Sequence, residues 1–97
     1  MELNTFNFQD TLDVNESVIV DFWAPWCGPC KRYKPTFEEF ANTSKAKCFT
    51  VNVESETSLA EDYDIMSIPC TIMFKNGKES VRKLGILSKQ DLENLDS

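Results

Sequence analysis

The sequence predicts an α/β fold in which helices cover both faces of a central mixed β-sheet. Short apolar runs of strand length alternate along the chain with segments whose apolar residues recur at helical spacing. The dipeptide Asn76-Gly77 lies between two strand-like runs and is a strong signal for a two-residue hairpin turn. The predicted element order is βαβαβαββα, in a single domain that spans residues 1–97.

The N-terminal part of the chain predicts an edge strand, a small helix and a central strand. Residues 2–4 indicate the edge strand, and Asn7 is expected to cap a helix that turns Phe8 and Leu12 inward. The run Ser17–Trp23 is apolar apart from one carboxylate, which is typical of a central strand buried on both faces.

An amphipathic helix is expected to begin at Cys27 or Cys30 and to end near Asn42. Apolar residues recur on one side of it at helical spacing, which indicates a face packed against the sheet. Pro35 lies inside this helix and is expected to kink it, because proline removes one backbone donor.

Capping signals predict two further helices in the C-terminal half. Ser58 and Glu61 form a capping-box pattern for a short helix that ends near Tyr63. Ser88 and Asp91 form a second capping box, which opens the last helix. Apolar residues occupy the two positions of a hydrophobic staple around it, namely Leu87 and Leu92.

The remaining strands are predicted over residues 48–53, 70–74 and 80–84. The last two flank the Asn-Gly turn, so they are expected to form an antiparallel hairpin. Strands that are separated by helices are expected to run parallel. Together these directions predict a mixed sheet.

The composition limits the classes of partner and site. The chain has a net charge of −6 and no histidine, so neither nucleic-acid binding nor Cys-His catalysis nor a His-based metal site is expected. No apolar run approaches the roughly 20 residues that a membrane span needs. The first residues show no basic and apolar leader, so the four cysteines are expected to be kept reduced in a cytoplasmic protein.

The segment 26–30, Trp-Cys-Gly-Pro-Cys, follows the central strand and opens the amphipathic helix. Two cysteines three apart in a first helical turn lie on the same side, close enough to form a disulfide. A helix N-terminus favours a thiolate, so this segment is expected to make and break disulfides. The alternatives are an inert disulfide and half of a zinc site, although the other cysteines lack the spacing of a second ligand pair.

The chain resembles the thioredoxin family over nearly its whole length. The resemblance rests on residues 20–31 (Val-Asp-Phe-Trp-Ala-Pro-Trp-Cys-Gly-Pro-Cys-Lys), Ile68-Pro69, residues 74–77 (Phe-Lys-Asn-Gly) and Gly85. It implies the thioredoxin fold and a cofactor-free oxidoreductase that reduces disulfide-containing protein substrates and is itself re-reduced by a thioredoxin reductase. A monomer is expected.

Three residues are expected to carry the chemistry. Cys27 is the expected nucleophile, because it lies at the helix end and should be the more exposed cysteine. Cys30 shares the inward helix face, so it is the expected resolving thiol. Asp21 is a carboxylate in an apolar strand, so its pKa should be raised. The family fold implies that it lies under the cysteines as the base that takes the Cys30 proton through water; a purely structural aspartate is the alternative.

Two positions depart from the family pattern. Thioredoxins commonly carry a lysine near the buried aspartate, and the corresponding position here is Thr50, which leaves the tuning of the Asp21 pKa open. Cys70 replaces the threonine that usually follows the proline. We interpret Cys70 as a small buried side chain rather than an oxidisable thiol, and Cys48 as a core residue.

The residues expected to bind substrate surround the nucleophile. Pro69 resembles the family's cis-proline, and a cis bond would turn the Ile68 backbone outward to pair with an extended substrate segment. A trans proline that merely starts a strand is compatible with the local sequence alone. The expected substrate-binding set is Trp26, Gly28, Pro29, Ile68, Pro69 and Gly85.

Two functions from different classes are consistent with these residues. The first is a thioredoxin-type reductase, which the Gly28-Pro29 centre favours because it resembles the reducing members of the superfamily. The second is a thioredoxin-fold binding subunit, which would use the apolar rim around Trp26, Ile68 and Gly85 without redox turnover.

Overall fold

A computed structural model describes residues 1–96 and shows a four-stranded mixed sheet with four helices. The strands are β1 (Ser17–Trp23), β2 (Lys47–Asn52), β3 (Cys70–Lys75) and β4 (Lys78–Leu84), and the helices are α1 (Phe8–Val14), α2 (Gly28–Ala41), α3 (Thr57–Asp62) and α4 (Lys89–Asp96). The strands lie in the order β2-β1-β3-β4. The predicted fold class is confirmed.

The first predicted strand is reduced to a single bridge. Glu2 forms an isolated parallel bridge to Thr50 on β2. The Leu3 N–H donates to the Thr50 carbonyl, and the Thr50 N–H donates to the Met1 carbonyl. The extended segment ends at Asn4, because the Asn4 side chain accepts hydrogen bonds from two backbone N–H groups that follow it and turns the chain.

Two of the predicted capping side chains do not cap. Asn7 is the N-cap residue of α1, as predicted, but its side chain makes no capping hydrogen bond and instead accepts one from the Asn4 N–H. The Ser58 side chain does not cap α3, which begins after Glu56; its hydroxyl pairs with the Thr5 hydroxyl at 3.3 Å. In both cases the N-terminal segment supplies a competing partner that no local pattern reveals.

The predicted start of α4 is confirmed. The Asp91 N–H donates to Ser88 Oγ, and the Ser88 N–H donates to Asp91 Oδ2, each at 3.1 Å. Leu87 and Leu92 are both buried, as a staple requires. This capping box forms because every group in it belongs to one short stretch of chain.

The direction predicted for β3 is wrong. β1 and β2 pair in parallel, but β3 pairs with β1 antiparallel, so that Cys70 lies opposite Phe22. The six-residue helix α3 rises about 9 Å, whereas a six-residue strand spans roughly 20 Å. The helix is therefore too short to carry the chain back across the sheet, and β3 begins at the edge where β2 ends.

The β3–β4 hairpin is confirmed. Its two turn residues, Asn76 and Gly77, have φ values of +52° and +82°. Positive φ at both central residues is what a type I′ turn requires. The strand after the turn begins at Lys78, two residues earlier than the predicted residue 80.

The sheet separates two hydrophobic clusters, so helices cover both of its faces. The cluster with α1 and α3 contains Phe8, Leu12, Val18, Val20, Phe22, Val51, Leu59, Cys70, Ile72 and Phe74, and the cluster with α2 and α4 contains Ile19, Tyr33, Phe37, Phe40, Met73, Leu87 and Leu92. Side chains alternate along a strand. Asp21, two residues after Ile19, therefore lies on the α2 face.

Candidate active site

Cys27 and Cys30 form a disulfide at the N-terminus of α2. Cys27 is the N-cap residue, and its Sγ accepts a hydrogen bond from the Cys30 N–H at 3.1 Å. Pro29 lies in the first turn, where its missing N–H has no helical partner to lose. The unpaired N–H groups and the positive end of the helix dipole lie at the Cys27 sulfur, which favours its thiolate once the disulfide is reduced.

Both cysteines are buried in the disulfide form. Cys27 exposes 5% of its surface and Cys30 3%. The burial expected for Cys30 is confirmed, whereas Cys27 is only marginally the more exposed of the two. The pair packs with Ala24 and against the half-buried side chains of Trp23 and Ile68.

The loop before β3 lies against the disulfide. The Ile68–Pro69 peptide is cis, as predicted. Cys27 Sγ lies 3.8 Å from the Ile68 carbonyl oxygen, so the expected strand-pairing backbone is next to the expected nucleophile. On the far side of this loop the Gly85 N–H donates to the Pro69 carbonyl at 2.8 Å. Trp26, the residue before Cys27, is 67% exposed.

Gly85 has φ +86°, which side chains other than glycine rarely adopt. An added Cβ would meet no atom within 4 Å. Glycine is therefore required here by the backbone conformation, and the space beside it is open. Gly28 and Pro29 are exposed at the same end of the sheet, so the structure brings the predicted substrate-binding residues to one edge.

Asp21 is a buried carboxyl group. It is 4% exposed, and within residues 1–96 no hydrogen-bond partner reaches its Oδ1. Burial, aided by the nearby charge of Glu2, raises the pKa of Asp21 to about 7. The pKa shift has the predicted direction, and no backbone donor reaches Oδ1.

A single pocket of about 610 Å³ joins Asp21 to Cys30. It is large enough to hold water, which makes a water-mediated proton path between the two groups feasible. Thr50, which we expect at the position of the family's lysine, is the register partner of Asp21 on β2. The other lining residues include Glu2, Trp23, Lys31, Lys34, Phe37, Glu38 and Cys48.

Glu2 belongs to this site, and the sequence analysis missed it. Its Oε2 accepts hydrogen bonds from the Trp23 indole N–H at 2.8 Å and from the Thr50 hydroxyl. The sequence separation of 48 residues between Glu2 and Thr50 explains the omission. The only signal was the expected edge strand at residues 2–4, which gave no pairing partner.

Cys70 is buried, as expected, whereas Cys48, expected in the core, is only half-buried. Cys70 is fully buried, and the strand alternation turns its side chain into the α1–α3 cluster, away from the disulfide. Burial raises the pKa of the Cys70 thiol, which makes it less reactive. Cys48 is half-buried and packs against the α2–α4 cluster.

The fold does not bring a second pair of cysteine ligands together, as the zinc-site alternative would require. Cys48 and Cys70 lie on opposite faces of the sheet, so they do not form a second ligand pair. Across residues 1–96 there is no group of three or more His, Cys, Asp or Glu side chains that could hold a metal ion. Nor is any helix in that range both long and apolar enough to cross a membrane.

Comparison with known proteins decides the family. The thioredoxin family model matches residues 1–95. The chain belongs to the thioredoxin family. The thioredoxin of Alicyclobacillus acidocaldarius is 39% identical over 95 residues, which cover 96% of this chain and 90% of that protein.

Solved thioredoxin structures have the same fold. The thioredoxin of Plasmodium falciparum superposes with a TM-score of 0.91 at 35% identity, covering 97% of this chain and 93% of that one. A mutant thioredoxin from Halobacterium salinarum superposes with a TM-score of 0.93 at 26% identity, covering 99% of this chain and 86% of that one. With the Cys27–Cys30 disulfide, these matches establish a thiol–disulfide oxidoreductase of the protein-disulfide-reductase type.

Proposed function

We propose that this chain works as one monomeric thioredoxin domain over residues 1–97, reduces protein disulfides in the cytoplasm and is re-reduced by a thioredoxin reductase. No bound cofactor takes part, because two thiols carry both electrons of the exchange. The observation that supports this function best is a disulfide at a helix N-terminus, Cys27–Cys30, that shares a pocket with the buried carboxyl group of Asp21.

In the first step Cys27 is the nucleophile. A substrate segment lies along the Ile68 backbone, held by the rim of Trp26, Gly28, Pro29, Ile68, Pro69 and Gly85. The Cys27 thiolate attacks one sulfur of the substrate disulfide. A mixed disulfide forms, and the second substrate sulfur leaves as a thiolate that takes a proton from solvent.

In the second step Cys30 resolves the mixed disulfide. Its thiol gives its proton to Asp21 through water, and the resulting thiolate attacks Cys27 Sγ. The bond between Cys27 and the substrate breaks, the Cys27–Cys30 disulfide forms, and the substrate leaves fully reduced. A base whose pKa is about 7 suits proton transfer near neutral pH.

Reduction of insulin disulfides driven by dithiothreitol tests this function. The wild-type protein is expected to accelerate the reaction well above dithiothreitol alone, and Cys27→Ser is expected to abolish the acceleration. Cys70→Ala is the matched control, because it removes a thiol on the face of the sheet opposite the disulfide and should keep turnover. Turnover by wild type no faster than dithiothreitol alone would contradict the proposal and favour a binding subunit.

A further inference from the structure

The Glu2 carboxylate is held by hydrogen bonds in the lining of the pocket that contains Asp21. It accepts hydrogen bonds from the Trp23 indole N–H and the Thr50 hydroxyl. The backbone around it is fixed as well, because the Leu3 N–H donates to the Thr50 carbonyl at 2.8 Å. A side chain that is otherwise solvent-exposed thus holds its negative charge at one place.

Both groups that hold Glu2 belong to residues next to Asp21. Thr50 is the register partner of Asp21 across the β1–β2 pair. Trp23 follows Asp21 by two residues, so both side chains lie on the α2 face of β1. All four residues line the same pocket together with Cys30. This chain therefore has a fixed carboxylate beside the position at which we expect the family's lysine.

The remaining titratable groups around the pocket are placed differently. They belong to Met1 (its α-amino group), to α2 (Cys30, Lys31, Tyr33, Lys34, Glu38) and to β2 (Cys48). On this face β3 presents the neutral Thr71 and Met73, and the exposed Lys75 at its far end. Lys31, Lys34 and Glu38 are exposed on the helix surface, where solvent screens their charges. Tyr33 is buried, and its hydroxyl pairs with that of Thr71 at 2.9 Å. Glu2 is the charged group that is hydrogen-bonded to neighbours of Asp21.

We propose that Glu2 is a positioning residue of the resolving step, because its fixed negative charge increases the affinity of Asp21 for the proton that Cys30 gives up. The inference rests on the proposed function. The transfer moves one proton from the Cys30 thiol to the Asp21 carboxylate and no electrons. Burial is the first cause of the raised Asp21 pKa and the Glu2 charge is the second, so burial still acts when Glu2 is neutral.

The test uses Glu2→Gln, which removes the charge but keeps an oxygen that can accept both hydrogen bonds. NMR titration of the Asp21 carboxyl carbon in the oxidised protein is expected to show a midpoint lower by roughly half a pH unit. The pH profile of single-turnover disulfide reduction should shift in the same direction. Thr50→Val, which removes one of the two donors, should give a smaller shift of the same sign.

The matched control is Glu38→Gln, which removes one negative charge from the same pocket without disturbing the hydrogen bonds of Glu2. It is expected to leave the Asp21 midpoint unchanged. An unchanged midpoint in Glu2→Gln, or an equal shift in Glu38→Gln, would overturn the inference while insulin reduction by the wild type stays normal. Absence of insulin reduction by the wild type would instead overturn the proposed function itself.

Discussion

The buried carboxyl group of Asp21 makes the stability of the folded protein depend on pH. Its pKa of about 7 compares with an ordinary value of 3.8. Between these two values the folded protein keeps a proton that the unfolded chain releases. The unfolded state then binds fewer protons, so the free energy of unfolding falls as pH rises through this interval and stays low above it.

Asp21→Asn should remove this dependence. The substitution keeps the shape of the side chain but cannot ionise. We compare the free energy of unfolding of the variant with that of wild type. This difference should increase by on the order of 4 kcal/mol, as an upper bound, when the pH goes from below the interval to above it. Urea denaturation of the oxidised proteins at pH 3 and pH 8.5 measures the change. Asp62→Asn, at an exposed position, is the control. If Asp21→Asn changed the free energy of unfolding equally at both pH values, the raised pKa of Asp21 would be contradicted.

The roles of the two cysteines can be separated by trapping. Cys30→Ser should accumulate covalent mixed disulfides with substrates, because Cys27 still attacks but nothing resolves the product. Cys27→Ser should form none. Non-reducing electrophoresis followed by mass spectrometry identifies the linked cysteine, and adducts on Cys30 of the Cys27→Ser protein would reverse the assignment.

At the scale of elements, the β3–β4 turn has a conformation that depends on glycine. Gly77→Ala should destabilise the protein by about 1 kcal/mol, because φ of +82° is strained for a residue with a Cβ. The added methyl group itself meets no atom. Gly28→Ala in α2 is the control, since helical φ values suit alanine. Urea denaturation measures both, and equal effects would argue against backbone strain.

Elements whose signals lie within a few residues could be predicted from the sequence, and those set by distant contacts could not. The Ser88–Asp91 capping box and the Asn76-Gly77 turn are local, and both are confirmed. The capping pattern at Ser58 is equally good locally, but Thr5 takes its hydroxyl. The direction of β3 depends on the length of α3. The rule that strands separated by helices run parallel takes no account of that length.

The same distinction applies to the site. The Trp-Cys-Gly-Pro-Cys motif identifies the cysteine pair, and the single carboxylate in an apolar strand identifies Asp21. The cis peptide before Pro69 was predicted from the family resemblance. The contact that brings Glu2 to Thr50 spans half of the chain. A surface glutamate near the start of a sequence carries no pattern that distinguishes it from any other.

For the whole molecule, the two clusters on either side of the sheet hold the helices in place. Leu92 of α4 is fully buried in the cluster on the α2 face of the sheet. Leu92→Ala should lower the free energy of unfolding by about 2–5 kcal/mol through lost burial and the cavity left behind. Leu84→Ala, at a position that is 61% exposed, is the control and should change it by less than about 0.5 kcal/mol. Equal losses of unfolding free energy in the two variants, measured by urea denaturation, would contradict this contrast between a buried and an exposed leucine.

The antiparallel direction of β3 gives the molecule a reactive end and an inert end. Pro69 precedes β3 at the edge where β1 ends, whereas the turn at Asn76-Gly77 lies roughly 20 Å away along the strand. With β3 parallel, Pro69 would lie at that far edge, and one substrate segment could not contact both Ile68 and Cys27. The far turn is therefore a suitable attachment point for a dye, a tag or a solid support, which would leave the disulfide facing the solution.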